Sequence, residues 1–250
     1  MNTLFLFAHQ DDEYGIYAKI HEHCRCGDAV YCAYLTDGGS QTLRRNQESR
    51  AVLGSLGVAP SRVLFPGYEH SWRDGRLHDS YAECCHWLAN LLAELAPVGD
   101  VYAPAWEGGH QDHDTVHAVA ATTIHHGGTH SRLWQFPLYN GYRTRWPLFR
   151  TMVPLSGNGP ILRTPIQPML RLRYTSLCLS YTSQRNTWLG LFFPVALHYL
   201  VAGTQQLQAI PHLRLERPHK GRLLYEQRGF CTWGALKSAL QANPFEVHHG

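Results

Sequence analysis

Two short clusters of histidine and aspartate stand out in the sequence. The first is HQDDE at residues 9–13, and the second is HQDH at residues 110–113, about a hundred residues later. Imidazole nitrogens and carboxylate oxygens are common ligands of catalytic zinc, which takes three protein ligands and keeps one position for water. The two clusters could therefore form a hydrolytic metal centre, provided that the fold brings them together.

The spacing within each cluster separates metal ligands from acid and base groups. His9 and Asp12 are three residues apart and share one face if the chain turns helical after a strand, and His113 could supply the third ligand. Asp11 could then deprotonate water as a general base and protonate the leaving amine. His110, if protonated, could stabilise the oxyanion of the intermediate. Zinc lowers the pKa of a water that it binds to about 7, so hydroxide is available at neutral pH.

Each cluster also has a simpler interpretation. Two aspartates after a strand are often only the cap and first turn of a helix, and an HxxH spacing is a weak signal in a chain with 17 histidines. Asp112 is well placed in the sequence to orient an imidazole, as carboxylates behind metal-bound histidines do. The remaining paired histidines have no comparable setting and are expected at the surface: His21/His23, His125/His126 and His248/His249.

Strand and helix signals alternate along the first part of the chain. Apolar segments predict strands at residues 3–8, 29–35, 62–65, 100–103 and 133–138. Helical periodicity predicts helices at residues 45–56 and 81–95, and from Asp112 or Asp114 to residue 124. This alternation is typical of an α/β, Rossmann-like fold with a mostly parallel sheet and helices on both faces. Ligands bind such sheets at the carboxyl ends of the strands, which is where both clusters lie.

The second part of the chain is less regular. We expect one domain over residues 1–250, with a core at about 1–140 and a substrate-facing loop, helix and tail at 141–250. The proline-rich residues 145–167 are expected to form a long loop that could act as a lid, followed by a helix near 170–185. The apolar residues 188–201 predict a buried helix pair, with a membrane-touching surface as the alternative, and are too few to span a bilayer.

Composition excludes several classes of protein. Twenty-two basic and nineteen acidic residues give a net charge of +3, without runs of like charge, which does not indicate nucleic-acid binding. The N-terminal segment lacks the basic region of a signal peptide. Seven cysteines without a CxxC pair favour a reducing, cytoplasmic location. The expected partner is a small-molecule or glycoconjugate substrate, no transmembrane segment is expected, and a homo-oligomer is compatible with the sequence.

The two clusters resemble the paired signature of the PIG-L/LmbE-like deacetylases, usually AHPDDE and HPDH. Here they read AHQDDE at 8–13 and HQDH at 110–113, with Gln10 in place of the usual proline. Four further segments are similar to family elements: LTDGG at 35–39, Arg45 and Glu48 of an RxxE helix followed by Leu56-Gly57, WRDG at 72–75 and YTSQ at 181–184. The likeness covers roughly residues 3–190.

The resemblance implies a zinc-dependent enzyme that removes N-acetyl groups, mostly from N-acetylglucosamine units in glycolipids, thiol precursors and antibiotics. The residue roles that it implies are zinc ligation by His9, Asp12 and His113, general base catalysis by Asp11 and electrostatic catalysis by His110. It also suggests that Arg45 and Asp74 contact the sugar or its aglycone, although Arg45 and Glu48 could instead be a helix-surface pair. A ligand set of two histidines and one aspartate would also accept iron, cobalt or nickel.

Other functions fit the sequence less well. A non-catalytic sugar- or nucleotide-binding protein that retains a metal site has no use for Asp11 and His110, and no GxGxxG or GxxxxGK[ST] loop is present. A serine hydrolase would need a GxSxG elbow, which the sequence lacks. A glycosidase would need two carboxylates about 5 to 9 Å apart across a sugar, and neighbouring side chains at a strand end diverge.

Overall fold

The computed structural model describes residues 1–127, 130–241 and 244–245. The strands are β1 Asn2–Phe7, β2 Ala29–Tyr34, β3 Val63–Leu64, β4 Val98–Pro104, β5 Arg132–Phe136, β6 Tyr139–Asn140, β7 Arg150–Thr151, β8 Leu162–Pro165 and β9 Thr204–Ala209. The helices are α1 Tyr17–Arg25, α2 Thr42–Leu56, α3 Pro66–Glu69, α4 Tyr81–Glu94, α5 Gln111–His126, α6 Pro168–Leu177, α7 Arg185–Leu197, α8 Leu224–Gln227 and α9 Trp233–Leu240. A π-helical turn, His198–Ala202, follows α7.

Seven strands form one central sheet in the order β3-β2-β1-β4-β5-β9-β8. The first five strands are parallel, whereas β9 pairs antiparallel with β5 and β8 pairs antiparallel with β9. Strand β1 lies between β2 and β4, with Phe5 opposite Cys32 on one side and Tyr102 on the other. The sheet confirms the predicted α/β architecture and contains strands from both sides of residue 140.

Helices cover both faces of the sheet because the central strands are apolar on both sides. Successive side chains of β1 point to opposite faces. Leu4 and Leu6 join the core beneath α4, α5 and α9, while Phe5 and Phe7 join the core beneath α1, α2, α6 and α7. Both cores are contiguous sets of buried residues, so β1 is held from two sides and its end is a rigid platform for the loop that follows.

The structure corrects the expectations for the second part of the chain. Residues 145–167 are not one long loop, since they contain β7 and β8, and β8 is a strand of the central sheet. The helix expected near 170–185 ends at Leu177, and the tail supplies β9. Strand β9 escaped prediction because its sequence, TQQLQA, is polar. Gln208 is nevertheless buried, and its amide donates to the carbonyls of Leu155 and Gly159.

The apolar residues 188–201 form α7 and the π-helical turn, and they are buried on one side only. Val195 and Tyr199 are fully buried, whereas Leu189 and Phe193 are 83% and 75% exposed. The expected buried helix pair is therefore wrong for the outer side of this segment. None of the helices in the described ranges is both long enough and apolar enough to cross a bilayer.

The placement of β9 inside the fold generates a stability prediction. Leu207 of β9 is 3% exposed in the core, whereas its cross-strand partner Leu162 of β8 is 50% exposed. We expect Leu207→Ala to lower the free energy of unfolding by about 2–4 kcal/mol, because truncation leaves a cavity. Leu162→Ala should lower it by less than about 1 kcal/mol. Urea denaturation followed by circular dichroism measures both, and equal losses would contradict this placement.

Candidate active site

The candidate site lies where β1 and β4 end side by side at the carboxyl edge of the sheet. The chain leaves β1 at Phe7 and turns at once into a short 3₁₀ helix, Asp12–Gly15, which carries the end of the first cluster. It leaves β4 at Pro104 and enters α5 through His110, which is extended and caps that helix. Because β1 and β4 are hydrogen-bonded neighbours, the two clusters face each other.

Three predicted metal ligands converge in this cleft. The Nδ1 atom of His9 lies 3.2 Å from the Nε2 atom of His113, and that Nε2 atom lies 3.0 Å from the Oδ1 atom of Asp12. His9 Nδ1 lies 3.5 Å from the other carboxylate oxygen of Asp12. All three side chains are buried. The fold thus brings together His9, Asp12 and His113, although about a hundred residues separate the first two from the third in the sequence.

These separations fit a shared divalent cation. Ligand atoms about 2.0–2.1 Å from a tetrahedral metal lie about 3.3–3.4 Å from one another. The distance between the two histidine nitrogens, 3.2 Å, and that from His113 Nε2 to Asp12 Oδ1, 3.0 Å, are close to this value. Asp12 Oδ2 accepts the backbone N–H groups of Ala8 and His9, which fixes the carboxylate and leaves Oδ1 turned toward His113. Two imidazole nitrogens and a carboxylate oxygen are the donor set that zinc and other transition metals accept.

Asp112 lies behind His9, on the side away from His113. Its Oδ2 atom is 3.1 Å from His9 Nε2 and also accepts the backbone N–H of Gly75, while Oδ1 accepts the N–H of Leu77. A proton held on Nε2 by this carboxylate leaves the lone pair of Nδ1 free for a metal. Although burial opposes ionisation, the hydrogen bond from His9 and the nearby His110 lower the pKa of Asp112 to about 2.

A second grouping, His9, His110 and Asp112, is also compact enough to hold an ion. Its donor atoms are already engaged, however. His110 Nδ1 accepts the backbone N–H of Asp112, and both carboxylate oxygens of Asp112 accept backbone N–H groups. The grouping of His9, Asp12 and His113 therefore fits a metal better. The ring of His113 is not held by a hydrogen bond on its far side, because its Nδ1 atom is buried without a partner among the described residues.

Charge in the cleft is strongly unbalanced. Although burial opposes protonation of His9, the carboxylates of Asp74, Asp12 and Asp112 around it raise its pKa well above the ordinary value. Burial also opposes ionisation of Asp12, yet His113 and His9 hold the pKa of that carboxyl well below its usual range. So many carboxylates around two imidazoles call for additional positive charge, which a divalent cation would supply.

Asp11 is held beside this site by its backbone. Its φ of 115° is a left-handed conformation that non-glycine residues rarely adopt, and its N–H donates to Glu13 Oε2. Glu13 is buried and in turn accepts hydrogen bonds from the hydroxyls of Tyr34 and Tyr181. Strained backbone of this kind persists only where its surroundings enforce it, and it clusters at functional sites.

The carboxylate of Asp11 is free to act. No group in the described part of the chain donates a hydrogen bond to it, although the residue is only 8% exposed. Burial raises the pKa of Asp11 to about 8, with Arg45 opposing the rise and Asp12 adding to it. A carboxylate with a raised pKa can both take and return a proton near neutral pH.

His110 caps α5 with its ring. Nδ1 accepts the N–H of Asp112 at 3.2 Å, so the neutral imidazole carries its proton on Nε2. Burial and the neighbouring His9 lower the pKa of His110 to about 3. These conditions favour the neutral ring over the protonated form expected from the sequence. The neutral ring still offers an Nε2–H donor, and its centroid lies 4.7 Å from that of His9.

Arg45 and Asp74 line the same cleft and pair with each other. Arg45 Nη1 donates to Asp74 Oδ2 at 2.9 Å, and Nη2 donates to the carbonyl of Gln10. The Oδ1 atom of Asp74 lies 3.4 Å from His9 Nε2. Arg45 is buried and does not pair with Glu48, which instead accepts hydrogen bonds from Ser183. The helix-surface alternative for Arg45 is therefore wrong.

Sequence reasoning missed Arg228 and Phe230, which lie around the cleft. Tyr139 packs edge-on against His113 at 5.3 Å, and the guanidinium of Arg228 lies 5.6 Å from the Tyr139 ring. Phe230 lies 5.9 Å from His110. Arg228 and Phe230 follow the short helix α8 in a tail without periodicity, so no local pattern marks them. Glu13 could have been found, because it closes the HQDDE cluster itself.

The other paired histidines lie away from the cleft. His125 and His126 are exposed, as expected. His21 and His23 are half-buried, which corrects the expectation for them, since His21 bonds to the Tyr174 hydroxyl and His23 bonds to Asp28. His248 and His249 lie outside the described residues.

Comparison with known proteins places this fold and its signature. The family model "PIG-L: GlcNAc-PI de-N-acetylase" matches residues 4–124. No curated protein sequence matches the chain.

Solved structures share the fold at low sequence identity. The zinc-inhibited form of teicoplanin deacetylase Orf2 has a TM-score of 0.61 and 16% identity, over 84% of this chain and 99% of that one. A conserved protein from Thermus thermophilus has a TM-score of 0.62 and 19% identity, over 86% and 96% of the two chains. N,N'-diacetylchitobiose deacetylase from Pyrococcus horikoshii has a TM-score of 0.59 and 17% identity, over 84% of each chain.

The matched segment runs from β1 almost to the end of α5 and includes both HQDDE and HQDH. It therefore contains every residue that the cleft draws from the loop after β1, from α2 and from α5. The resemblance seen in the sequence is confirmed: residues 4–124 match the PIG-L family model, and solved deacetylases share the fold.

Proposed function

We propose that the protein is a metal-dependent N-deacetylase that hydrolyses the N-acetyl group of an amino-sugar conjugate. One observation carries the proposal: His9, Asp12 and His113 converge within metal-sharing distance beside the free carboxylate of Asp11. The family match at residues 4–124 supports a hydrolase of this kind, since the family description names a GlcNAc-PI de-N-acetylase. A structural neighbour from Pyrococcus horikoshii is described as acting on diacetylchitobiose, which supports an N-acetylglucosamine-type substrate.

Each side chain has a role that follows from its position. His9, Asp12 and His113 would hold the cation, which when bound supplies Lewis acidity to water and to the amide carbonyl. Asp11 takes a proton from the attacking water and returns it to the leaving amine. His110 donates its Nε2–H to the oxygen that becomes negative during the reaction.

Three further residues position the site or bind the substrate rather than react. Asp112 holds His9 in one tautomer and one orientation. Asp74, whose side chain is 29% exposed, presents its carboxylate at the cleft and is fixed there by Arg45. A carboxylate and a guanidinium that already form an ion pair can together hydrogen-bond neighbouring hydroxyls of a sugar. We therefore assign substrate binding to Asp74 and Arg45.

The metal proposed is zinc, with iron, cobalt or nickel as alternatives that the same donor set accepts. One structural neighbour is described as a zinc-inhibited form, so an activity titration has to extend beyond one equivalent of zinc. We also propose a cytoplasmic location, because all seven cysteines are free.

The first prediction from this proposed function concerns turnover itself. We expect the purified protein to release acetate from at least one member of a panel of N-acetylglucosamine conjugates, and the release should stop with a chelator and return with zinc. Acetate is measured by a coupled assay. Chelator-insensitive release would contradict the metal role, and no release from any conjugate would favour the non-catalytic sugar-binding alternative.

The second prediction separates the base from the ligands. Asp11→Asn should retain bound zinc and lose most turnover, by about 10²–10⁴-fold, because proton transfer is removed. His113→Ala should lose zinc as well as turnover. Metal content by mass spectrometry and acetate release measure the two effects. His117→Ala is the matched control, since this buried histidine lies one turn further along α5 and bonds to the Pro104 carbonyl. Equal zinc content in Asp11→Asn and His113→Ala would show that the ligand assignment is wrong.

The third prediction tests the carboxylate behind His9. Asp112→Asn should weaken zinc affinity by about 10–100-fold, because an amide neither fixes the His9 tautomer nor raises its basicity. Asp114→Asn is the control on the same helix, where the carboxyl accepts the N–H groups of Glu107 and Gly108 instead. Competition titration against a chromophoric chelator measures both affinities. An equal loss in the two variants would indicate general damage to α5 and would contradict the assigned role.

A further inference from the structure

Acidic residues are absent from a long central part of the sequence. Residues 115–215 contain nine arginines and neither aspartate nor glutamate, whereas sixteen of the nineteen acidic residues lie in residues 1–114. The small net charge of +3 therefore combines a strongly acidic part, residues 1–114, with a strongly basic part, residues 115–215. Such an asymmetry creates a local field that selects partners by charge.

The same part of the chain carries a concentrated set of exposed apolar side chains. We define the apolar face as the exposed large residues of α7, of the segment before it and of the π-helical turn: Leu179, Leu189, Phe193, Leu197, Leu200 and Val201. Leu189, Phe193 and Leu197 recur every four residues and so line one side of α7. On neighbouring α6, Met169 and Leu172 are 76% and 58% exposed.

The inner side of α7 is firmly packed. Trp188 lies 5.4 Å from the Tyr14 ring and 6.3 Å from the Tyr181 ring, and Val195 is fully buried. A surface helix anchored in this way ordinarily has charged and polar residues on its outer side. The apolar face has leucine, phenylalanine and valine there instead, which indicates that something apolar covers it.

An exposed arginine borders the apolar face. Arg185 begins α7 and lines one groove with Leu189 and Phe193 of the face. It has no ion-pair partner in the described part of the chain. Arg163 on β8 and Arg173 on α6 are exposed elsewhere in the basic middle of the chain. Long cationic side chains around an apolar surface are suited to the interface of an anionic bilayer, where the tips reach phosphate groups.

We propose that the apolar face docks onto the surface of an anionic phospholipid bilayer without crossing it. Charge decides against the main rival, a second copy of this chain. A two-fold dimer would set the face against itself and bring Arg185 toward its own copy. The nearby carboxylate of Glu48 is already engaged by Arg44, Thr182 and Ser183. An anionic membrane supplies the opposite charge, and hydrocarbon covers the leucines and phenylalanine. This inference does not depend on the proposed deacetylation.

The face also adjoins the candidate site. An open groove of about 490 Å³ is lined by Leu189 and Phe193 of the face and by Tyr181. The Tyr181 hydroxyl donates to Glu13, which holds the backbone of Asp11. Docking at this face would therefore bring the edge of the site close to the membrane surface.

Vesicle sedimentation with the full chain tests the proposal. The protein should sediment with vesicles of phosphatidylcholine mixed with phosphatidylglycerol, much less with phosphatidylcholine alone, and less at high salt. Leu189→Ser/Phe193→Ser should reduce the bound fraction at least about tenfold by removing the inserted side chains. Arg185→Glu should do the same by reversing one charge, and it leaves a helix start that tolerates an acidic residue.

Matched controls lie away from the apolar face. Tyr68→Ser removes another exposed apolar side chain, and Lys237→Glu makes the same charge reversal on α9 across the sheet. Both should bind vesicles as the unaltered protein does, and thermal unfolding verifies that all variants are folded. Absence of binding to anionic vesicles, or equal losses in the controls, would overturn the proposal. A dimer in sedimentation velocity that Leu189→Ser/Phe193→Ser dissociates would overturn it in favour of a second copy.

Discussion

The pairing of β1 with β4 is the constraint on which the site depends. These two parallel strands are hydrogen-bonded neighbours, so the loops that leave their carboxyl ends start side by side. The first loop brings His9 and Asp12, and the second brings His113 at the start of α5. Apolar cores on both faces of the sheet hold β1 in place, and the separations between ligand atoms depend on that rigidity.

Much of this arrangement can be read from the sequence because it is local. The strands near residues 3–8, 29–35 and 100–103 are continuous apolar runs, and the two clusters follow the first and the last of them. Once the alternation of strands and helices indicates a parallel sheet, the carboxyl edge becomes the place to search. Whether the two clusters meet then depends only on the order of the strands in the sheet. The sequence does not encode that order locally.

The elements that the sequence did not predict are stabilised by tertiary contacts. Helix α1 has few apolar positions and is anchored mainly by Tyr17 and Ile20. Strand β9 is polar along its length and joins the sheet through pairing with β5 and β8. Arg228 reaches Tyr139 because the tail folds back over the site, as the hydrogen bond from Leu224 to Gly108 shows. Local propensity carries no signal for any of these contacts.

Most polar groups of the cleft are committed to holding one another, and few remain free. Asp112 and Glu13 are buried and saturated with hydrogen bonds, which fixes His9 and the strained turn at Asp11. Among the described residues, the groups left free include the Asp11 carboxylate, the Nε2–H of His110 and the atoms that face the shared ligand position. Such a division between positioning and reacting groups is the arrangement that preorganised catalysis requires.

Anomalous diffraction from crystals grown with zinc tests the central claim most directly. We expect one strong peak at the zinc edge within about 2.0–2.2 Å of His9 Nδ1, His113 Nε2 and a carboxylate oxygen of Asp12. A peak beside His9 Nε2, His110 and Asp112 instead, or no peak in the cleft, would contradict the assigned metal centre.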